Sequence, residues 1–282
     1  MNTSLAKINR GFVSIKEGQV HFREAGNHLN GRPLIMFHPS PTSSWILQPL
    51  MYRLGRYRRV IALDTLGNGD SCPPAKGKTL DIDYFANAHL RALDSLGVDT
   101  FDAYGSHTGG NIAAELAINY PERIGSIILD GIAVYKESEQ AEMLRTYAPE
   151  VKVDHNGSQL NWAWHFVRDN YLFWPWFKHE AGHRRNIGLP SPEILHEKVV
   201  EVLKSIQTYH NSYRAAFEYD KRARLPLINI PTLVSCAEDD MLFEYMDAVV
   251  ELMPNAKKQV TPGISTPEKS EKTVSLFLEF LN

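Results

Sequence analysis

The chain has 282 residues, of which 43% are hydrophobic and 22% charged, with a formal net charge of −3. That balance fits a globular chain long enough to bury one large α/β core with an insertion, and it provides no basic face for nucleic acid. No apolar run reaches bilayer-spanning length and residues 1–16 hold no continuous apolar leader segment, so the expectations are a cytoplasmic location, no membrane partner and a small-molecule substrate.

In chain order, residues 11–17 and 19–24 alternate apolar and polar side chains across Gly18, the pattern of an antiparallel hairpin at a sheet edge. Residues 33–37, 59–63, 101–104, 124–129 and 231–235 are short, nearly continuous apolar runs, the form of strands covered on both faces, and 257–260 is a weaker last strand. Between them, residues 44–54, 82–96, 110–120 and 271–281 repeat apolar side chains at helical spacing, the first behind Ser43 or Ser44 as a cap and the second behind Asp81. Strand and helix in alternation predict a parallel, doubly wound sheet. From 133 to 222 the alternation stops: this stretch holds four of the five tryptophans (Trp162, Trp164, Trp174, Trp176) and helical segments without a clear strand. It reads as a helical cap inserted after the sixth strand, giving a three-part organisation of 1–132, 133–222 and 223–282. Two cysteines, Cys72 and Cys236, make no disulfide framework in a chain of this size and are expected to be reduced.

The most informative stretch runs from Ala103 to Asn111. A β-favouring run ends in Gly105-Ser106-His107-Thr108-Gly109 and passes into a helical pattern, as a strand, sharp turn and helix that lift one side chain above a sheet. Glycines leave room for the strained turn. The residue at its tip is His107, and Ser106 falls one place too early.

These motifs, in this order, resemble the α/β-hydrolase fold family over almost the full chain. The resemblance implies an eight-stranded, mostly parallel sheet with helices on both faces and an inserted helical cap. His38-Pro39-Ser40-Pro41 resembles the family's His-Gly oxyanion loop, with Pro39 where glycine is usual. Asp64 to Ser71 resembles the turn after the fourth strand, and Asp240, in Ala237-Glu238-Asp239-Asp240, falls where the family carries its acid. The capped subgroup of epoxide hydrolases and haloalkane dehalogenases is similar in layout, and a bacterial subset with a Gly-x-His-Thr-Gly elbow is closer still. Two departures alter the mechanism. His107 occupies the nucleophile position, and the loop at 261–268, which should bring the base, has no histidine. The family's relay of serine, acid and histidine keeps only its acid, so an acyl-enzyme on serine is not expected unless Ser106 or Ser40 finds another base.

Imidazole titrates near neutral pH and reaches further than serine, so His107 can span the space of the missing base and meet Asp240 as an acid and base pair. Asp130, at the end of the sixth strand, is the second carboxylate able to orient it. By analogy with the elbow, the backbone N–H groups of Ser40 and Thr108 would form an oxyanion hole, Pro39 having removed one donor. In the cap, helical spacing sets Trp164, Arg168 and Tyr171 along one face and His165 and Asp169 along the next, a mix suited to a lid over a carbonyl or carboxylate. Trp174 and Trp176 would wall it, while Trp162 and Phe166 suit the cap's own core. His179-Glu180-Ala181-Gly182-His183 matches a zinc pattern, but Gly182 inside it and Gly188 soon after oppose a rigid helix. No metal or cofactor is expected. The resulting expectation is an atypical hydrolase of a small, partly apolar carbonyl compound, using His107 with Asp240 or Asp130. A cofactor-free lyase or decarboxylase is the near alternative. A non-catalytic ligand-binding protein is the alternative from another class, and a homodimer is left open.

Overall fold

The computed structural model describes residues 5–27, 29 and 31–282, so the opening segment read over 1–16 is described only from residue 5, and residues 1–4 lie outside the described residues. The expected hairpin is β1 (Ile8–Ile15) with β2 (Gly18–Ala25). Beyond it come β3 (Leu34–Phe37), β4 (Val60–Leu63), β5 (Phe101–Ser106), β6 (Ile124–Asp130), β7 (Thr232–Ala237) and β8 (Lys257–Thr261). Together they form an eight-stranded sheet in the order β1-β2-β4-β3-β5-β6-β7-β8. β2 is antiparallel to both of its neighbours, and from β4 onward all pairs are parallel.

Every residue of β3 and β4 is buried, because helices cover both faces of the sheet. The period of two divides each strand between two cores. Ile35 and Phe37 pack with α2 (Ile82–Ser95), α3 (Thr108–Asn119) and α9 (Met246–Leu252), whereas Leu34 and Met36 pack with α1 (Gln48–Leu54) and α10 (Pro267–Leu281).

Helix boundaries differ from expectation where the capping chemistry was not read. α10 begins at Pro267 rather than 271, because Thr266 accepts from the N–H of Lys269 and proline suits the first helical position. α3 begins at Thr108 rather than 110, directly from the turn. Of the two serines, Ser43 is the cap, ahead of a 3₁₀ turn at Ser44–Leu47, and Asp81 caps α2 through the N–H of Tyr84. Both cysteines are free. Among the described residues no helix is long and apolar enough to cross a membrane.

The segment between β6 and β7 carries α4 (Glu137–Thr146), α5 (Ser158–Leu172), α6 (Pro192–Lys204), α7 (Tyr209–Glu218) and the short α8 (Lys221–Arg224). Its helices close around a separate cluster that includes Phe166, Leu195, Val202, Tyr209 and Phe217, with Trp162 stacked on Phe166 at 4.8 Å. Hydroxyls fasten this segment to the loops after β3 and β4. Ser212 shares a 2.7 Å hydrogen bond with Ser40, Ser205 donates to the carbonyl of Pro41 at 3.0 Å, and Thr208 donates to the carbonyl of Gly67.

The turn between β5 and α3 explains its glycines. A Cβ on Gly109 would lie 2.1 Å from the carbonyl oxygen of Phe37 on β3, and one on Gly105 would lie 2.2 Å from the carbonyl of Gly109. Both neighbours are backbone and cannot swing away. Gly109→Ala should therefore lose at least about 2 kcal/mol of stability in chemical denaturation; an unchanged midpoint would show that the turn tolerates a wider separation of β3 and α3.

Candidate active site

His107 stands at the tip of the turn with φ 51° and ψ −112°, and it is the one non-glycine residue with positive φ among the described residues. Backbone held in a sparsely populated region costs on the order of 1–3 kcal/mol and persists only where the surroundings determine it. Here they do. The His107 N–H donates to the carbonyl of Asp130 at 2.9 Å, and the His107 carbonyl accepts from Gly110 at 3.0 Å.

The imidazole is fixed along one edge. Its Nε2 lies 2.9 Å from Oδ2 of Asp240, whose own position is set by its N–H on the carbonyl of Ala237 and by Leu242, which donates to Oδ1 at 2.8 Å. Gly131, at φ +61°, lies against the same edge: a Cβ there would come within 2.8 Å of both Cδ2 and Nε2. The opposite nitrogen, Nδ1, has no hydrogen-bond partner among the described residues and remains accessible, and the ring keeps 25% of its surface open.

Burial by itself would lower the pKa of His107, but the charge and hydrogen bond of Asp240 and the charge of Asp130 together hold it above the ordinary value. For Asp240 burial works upward, and the charge and hydrogen bond of His107 outweigh it, leaving its pKa below the usual carboxylate range. An ionised Asp240 requires the proton of neutral His107 to sit on Nε2. Nδ1 then carries a lone pair facing away from its anchor.

A cavity of about 810 Å³ opens over this pair. Ser40, Ser106, His107, Thr108, Asp130 and Asp240 line its floor. The hydroxyl of Ser40 is bound to Ser212, which leaves its backbone N–H as the available donor. The N–H of Thr108 belongs to the first turn of α3, where a helix has no internal acceptors to offer.

Asp130 does not touch the His107 ring. Its Oδ2 accepts from the Tyr104 phenol at 2.7 Å and its Oδ1 from Ser235 at 2.6 Å, so its influence on His107 runs through charge and backbone. Burial pushes the Asp130 pKa up against both hydrogen bonds.

Three residues expected in the lid lie elsewhere. Trp164, His165 and Arg168 do not line the cavity: Trp164 is 41% exposed, and Arg168 pairs with Asp169 at 2.7 Å. The reason is helical phase. α5 turns Phe166, Val167, Asn170 and Tyr171 toward the cavity, which leaves 164, 165 and 168 on its other side. Trp174 does wall the cavity, whereas Trp176 donates its indole N–H to the carbonyl of Tyr147 inside the helical segment. The zinc pattern dissolves as well: His179 lies 3.4 Å from Asp169, His183 bonds the carbonyl of Trp174 at 2.9 Å, and only a 3₁₀ turn joins them.

The sequence reading missed the cavity's polar residues Arg185, Lys198 and Lys221, and the phenols of Tyr147 and Tyr213. For Lys198 a signal existed, since Ile194, Lys198 and Val202 recur at helical spacing and all face the cavity, so a lysine interrupts an apolar stripe. Arg185 lies in a loop, where periodicity gives no direction. Burial lowers the pKa of Lys221 to about 7, while its ammonium donates to the carbonyl of Ala216 at 2.6 Å.

A doubly wound sheet, an elbow between β5 and α3 and an acid after β7 define an α/β-hydrolase architecture. Residues 32–263 match the family model for the alpha/beta hydrolase fold, and the chain belongs to that family. It is similar to the 2-hydroxymuconate semialdehyde hydrolase of Pseudomonas putida, 36% identical over 108 residues that span 36% of this chain and 36% of that protein, about a third of its length. The non-heme haloperoxidase of Rhodococcus erythropolis is 25% identical over 274 residues, covering 90% of this chain and 92% of that one. Among solved structures, the enol-lactonase of Burkholderia xenovorans LB400 superposes with a TM-score of 0.71 at 19% identity, covering 96% of this chain and 99% of the other, a likeness of fold.

The pair at His107 makes stability depend on pH. The folded pKa lies above the unfolded value of about 6.5, so protonated His107 contributes fully below that value and the contribution is lost as pH rises through the raised pKa. Denaturation of wild type and Asp240→Asn at about pH 5.5 and about pH 9 should show the larger stability gap at the lower pH; equal gaps would mean that the two side chains are not coupled.

Proposed function

We propose that the chain hydrolyses small, partly apolar carbonyl compounds by acid and base chemistry at His107, with no covalent serine intermediate and no cofactor. The observation that carries this reading is the 2.9 Å contact from Nε2 of His107 to Asp240, with Nδ1 left open. A water beside Nδ1 gives it a proton while its oxygen attacks the carbonyl carbon. Ionised Asp240 stabilises the imidazolium that results. Negative charge developing on the carbonyl oxygen falls to the N–H groups of Thr108 and Ser40. Imidazolium then returns the proton to the leaving group, and the acid product departs. The raised pKa supports both halves of the cycle, since it makes the neutral ring a stronger base and keeps its conjugate acid available near neutral pH. An apolar lining from Ile132, Phe166, Val202 and Phe217 matches a partly apolar substrate.

A lyase or decarboxylase step is the second reading, and Asp130 favours it. Burial raises its pKa, so this carboxyl in the cavity wall takes up a proton more readily than an exposed one and is placed to pass it to a carbanionic product. Turnover in ¹⁸O-labelled water separates the two, because hydrolysis fixes one labelled oxygen in a newly formed, non-exchanging carboxylate and the lyase step forms no such carboxylate.

Assayed on a panel of short aryl esters and lactones, His107→Ala should lose roughly 10²- to 10⁴-fold in kcat while keeping its unfolding transition. His107→Ser should not recover activity, since the loop at 261–268 supplies no histidine to activate a serine. Undiminished turnover in His107→Ala would end this reading. Ligands bound and returned unchanged by the wild type would instead favour a non-catalytic binding protein.

A further inference from the structure

Two cations in the cavity wall, Arg185 and Lys198, make no direct ion pair among the described residues. Arg185 donates through Nη1 to the carbonyl of Asn170 and through Nη2 to the carbonyl of Asp239 at 2.8 Å, both neutral acceptors. A guanidinium has five N–H donors, so three remain. Lys198 donates to the phenol of Tyr171, and its ammonium lies 4.5 Å from that ring's centre, with two N–H groups to spare.

The aspartates of the site are otherwise engaged. Asp240 holds His107, Asp130 accepts from Tyr104 and Ser235, and Asp239 pairs with Lys269 at 3.2 Å. Glu197 lines the cavity but forms an ion pair with neither cation. Burial pulls the pKa of Lys198 down to about 8, with the charge of Arg185 adding to it, and burial lowers that of Arg185 too. Two like charges, partly desolvated and hydrogen-bonded to adjacent residues of α5, Asn170 and Tyr171, favour a further anion in the cavity beside them.

We propose that Arg185 and Lys198 clamp a carboxylate of the substrate, so that the compound presented to His107 is a carbonyl compound bearing a carboxylate at its far end. This rests on the reading of His107 as the reacting centre. Arg185 links the two ends of the cavity wall by its hydrogen bonds: it donates to the carbonyl of Asp239, the neighbour of Asp240, and to the carbonyl of Asn170, next to the Tyr171 that holds Lys198. The guanidinium fork matches the two oxygens of a carboxylate, and Lys198 adds a point charge. Aromatic walls at Tyr147, Trp174 and Tyr213 suit the apolar middle.

The test measures binding with chemistry removed. Titration calorimetry on His107→Ala protein compares 3-phenylpropanoate with 3-phenylpropanamide, then repeats both in Arg185→Gln and Lys198→Met made in that background. The carboxylate should bind at least about ten-fold more tightly than the amide, and each second substitution should bring the ratio close to one. Equal binding of the two probes, no saturable binding of the carboxylate, or a ratio unchanged in Lys198→Met would overturn the clamp. Arg185 also ties down Asn170 and Asp239, so if Arg185→Gln does not fold, Lys198→Met decides. Because no turnover is read, the hydrolytic role of His107 can fail while the clamp stands, and the clamp can fail while neutral esters are still cleaved.

Discussion

The contact between His107 and Asp240 joins residues 133 positions apart in the chain, and the rest of the site is arranged by what brings them together. β5, β6 and β7 are adjacent and parallel, so their C-terminal ends meet along one edge of the sheet. From the first comes the turn to His107, from the second Asp130 and Gly131, and from the third the loop to Asp240. Crevices outside the carboxyl ends of parallel strands are where α/β sheets collect functional groups. Gly131 sits in the middle of this row, and its missing side chain is the space the imidazole edge occupies.

Burial and pairing oppose each other throughout the cavity, and the outcome differs from group to group. At His107 the two carboxylates win over desolvation and the imidazole stays basic. At Asp130 desolvation wins over two hydrogen bonds. At Lys198 nothing opposes it, and the ammonium becomes easier to deprotonate. A site with one coupled pair, one carboxyl whose pKa is raised and three cations, Arg185, Lys198 and Lys221, without ion pairs among the described residues is asymmetric in charge, and this asymmetry gives a bound molecule its direction. The helical segment contributes the cations and is held in place by hydroxyl contacts, Ser205 and Ser212 reaching the loop that carries Ser40.

Much of this was legible in the sequence because sheet strands buried on both faces leave a dense signal. The apolar runs at 33–37 and 59–63, and the glycine pair around His107, encode constraints local to a few residues, and the strand, turn and helix there follow from them. The elbow also identified His107, and the resemblance of Ala237-Glu238-Asp239-Asp240 to the family's acid loop after the seventh strand pointed to Asp240. Which carboxylate meets the ring was not decidable, since both lie at or just beyond the ends of neighbouring strands, and it is the engagement of Asp130 by Tyr104 and Ser235 that leaves Asp240 to hold Nε2. The lid was read least well. Helical spacing grouped Trp164 with Arg168 and His165 with Asp169, but it states which residues share a face and not which face meets the cavity. Phase in α5 is set by packing of Phe166 and Val167 into the core of the helical segment, a tertiary fact. Arg185 lies outside any repeat and carried no signal of its own.

The most direct measurement is ¹⁵N NMR of the His107 ring across a pH titration, in wild type and in Asp240→Asn. A neutral ring protonated at Nε2, with a pKa above about 6.5 that falls when Asp240 is neutralised, is the expected result. A ring protonated at Nδ1, or a pKa unmoved by Asp240→Asn, would mean that the accessible nitrogen is not an oriented base and would contradict an acid and base role for His107.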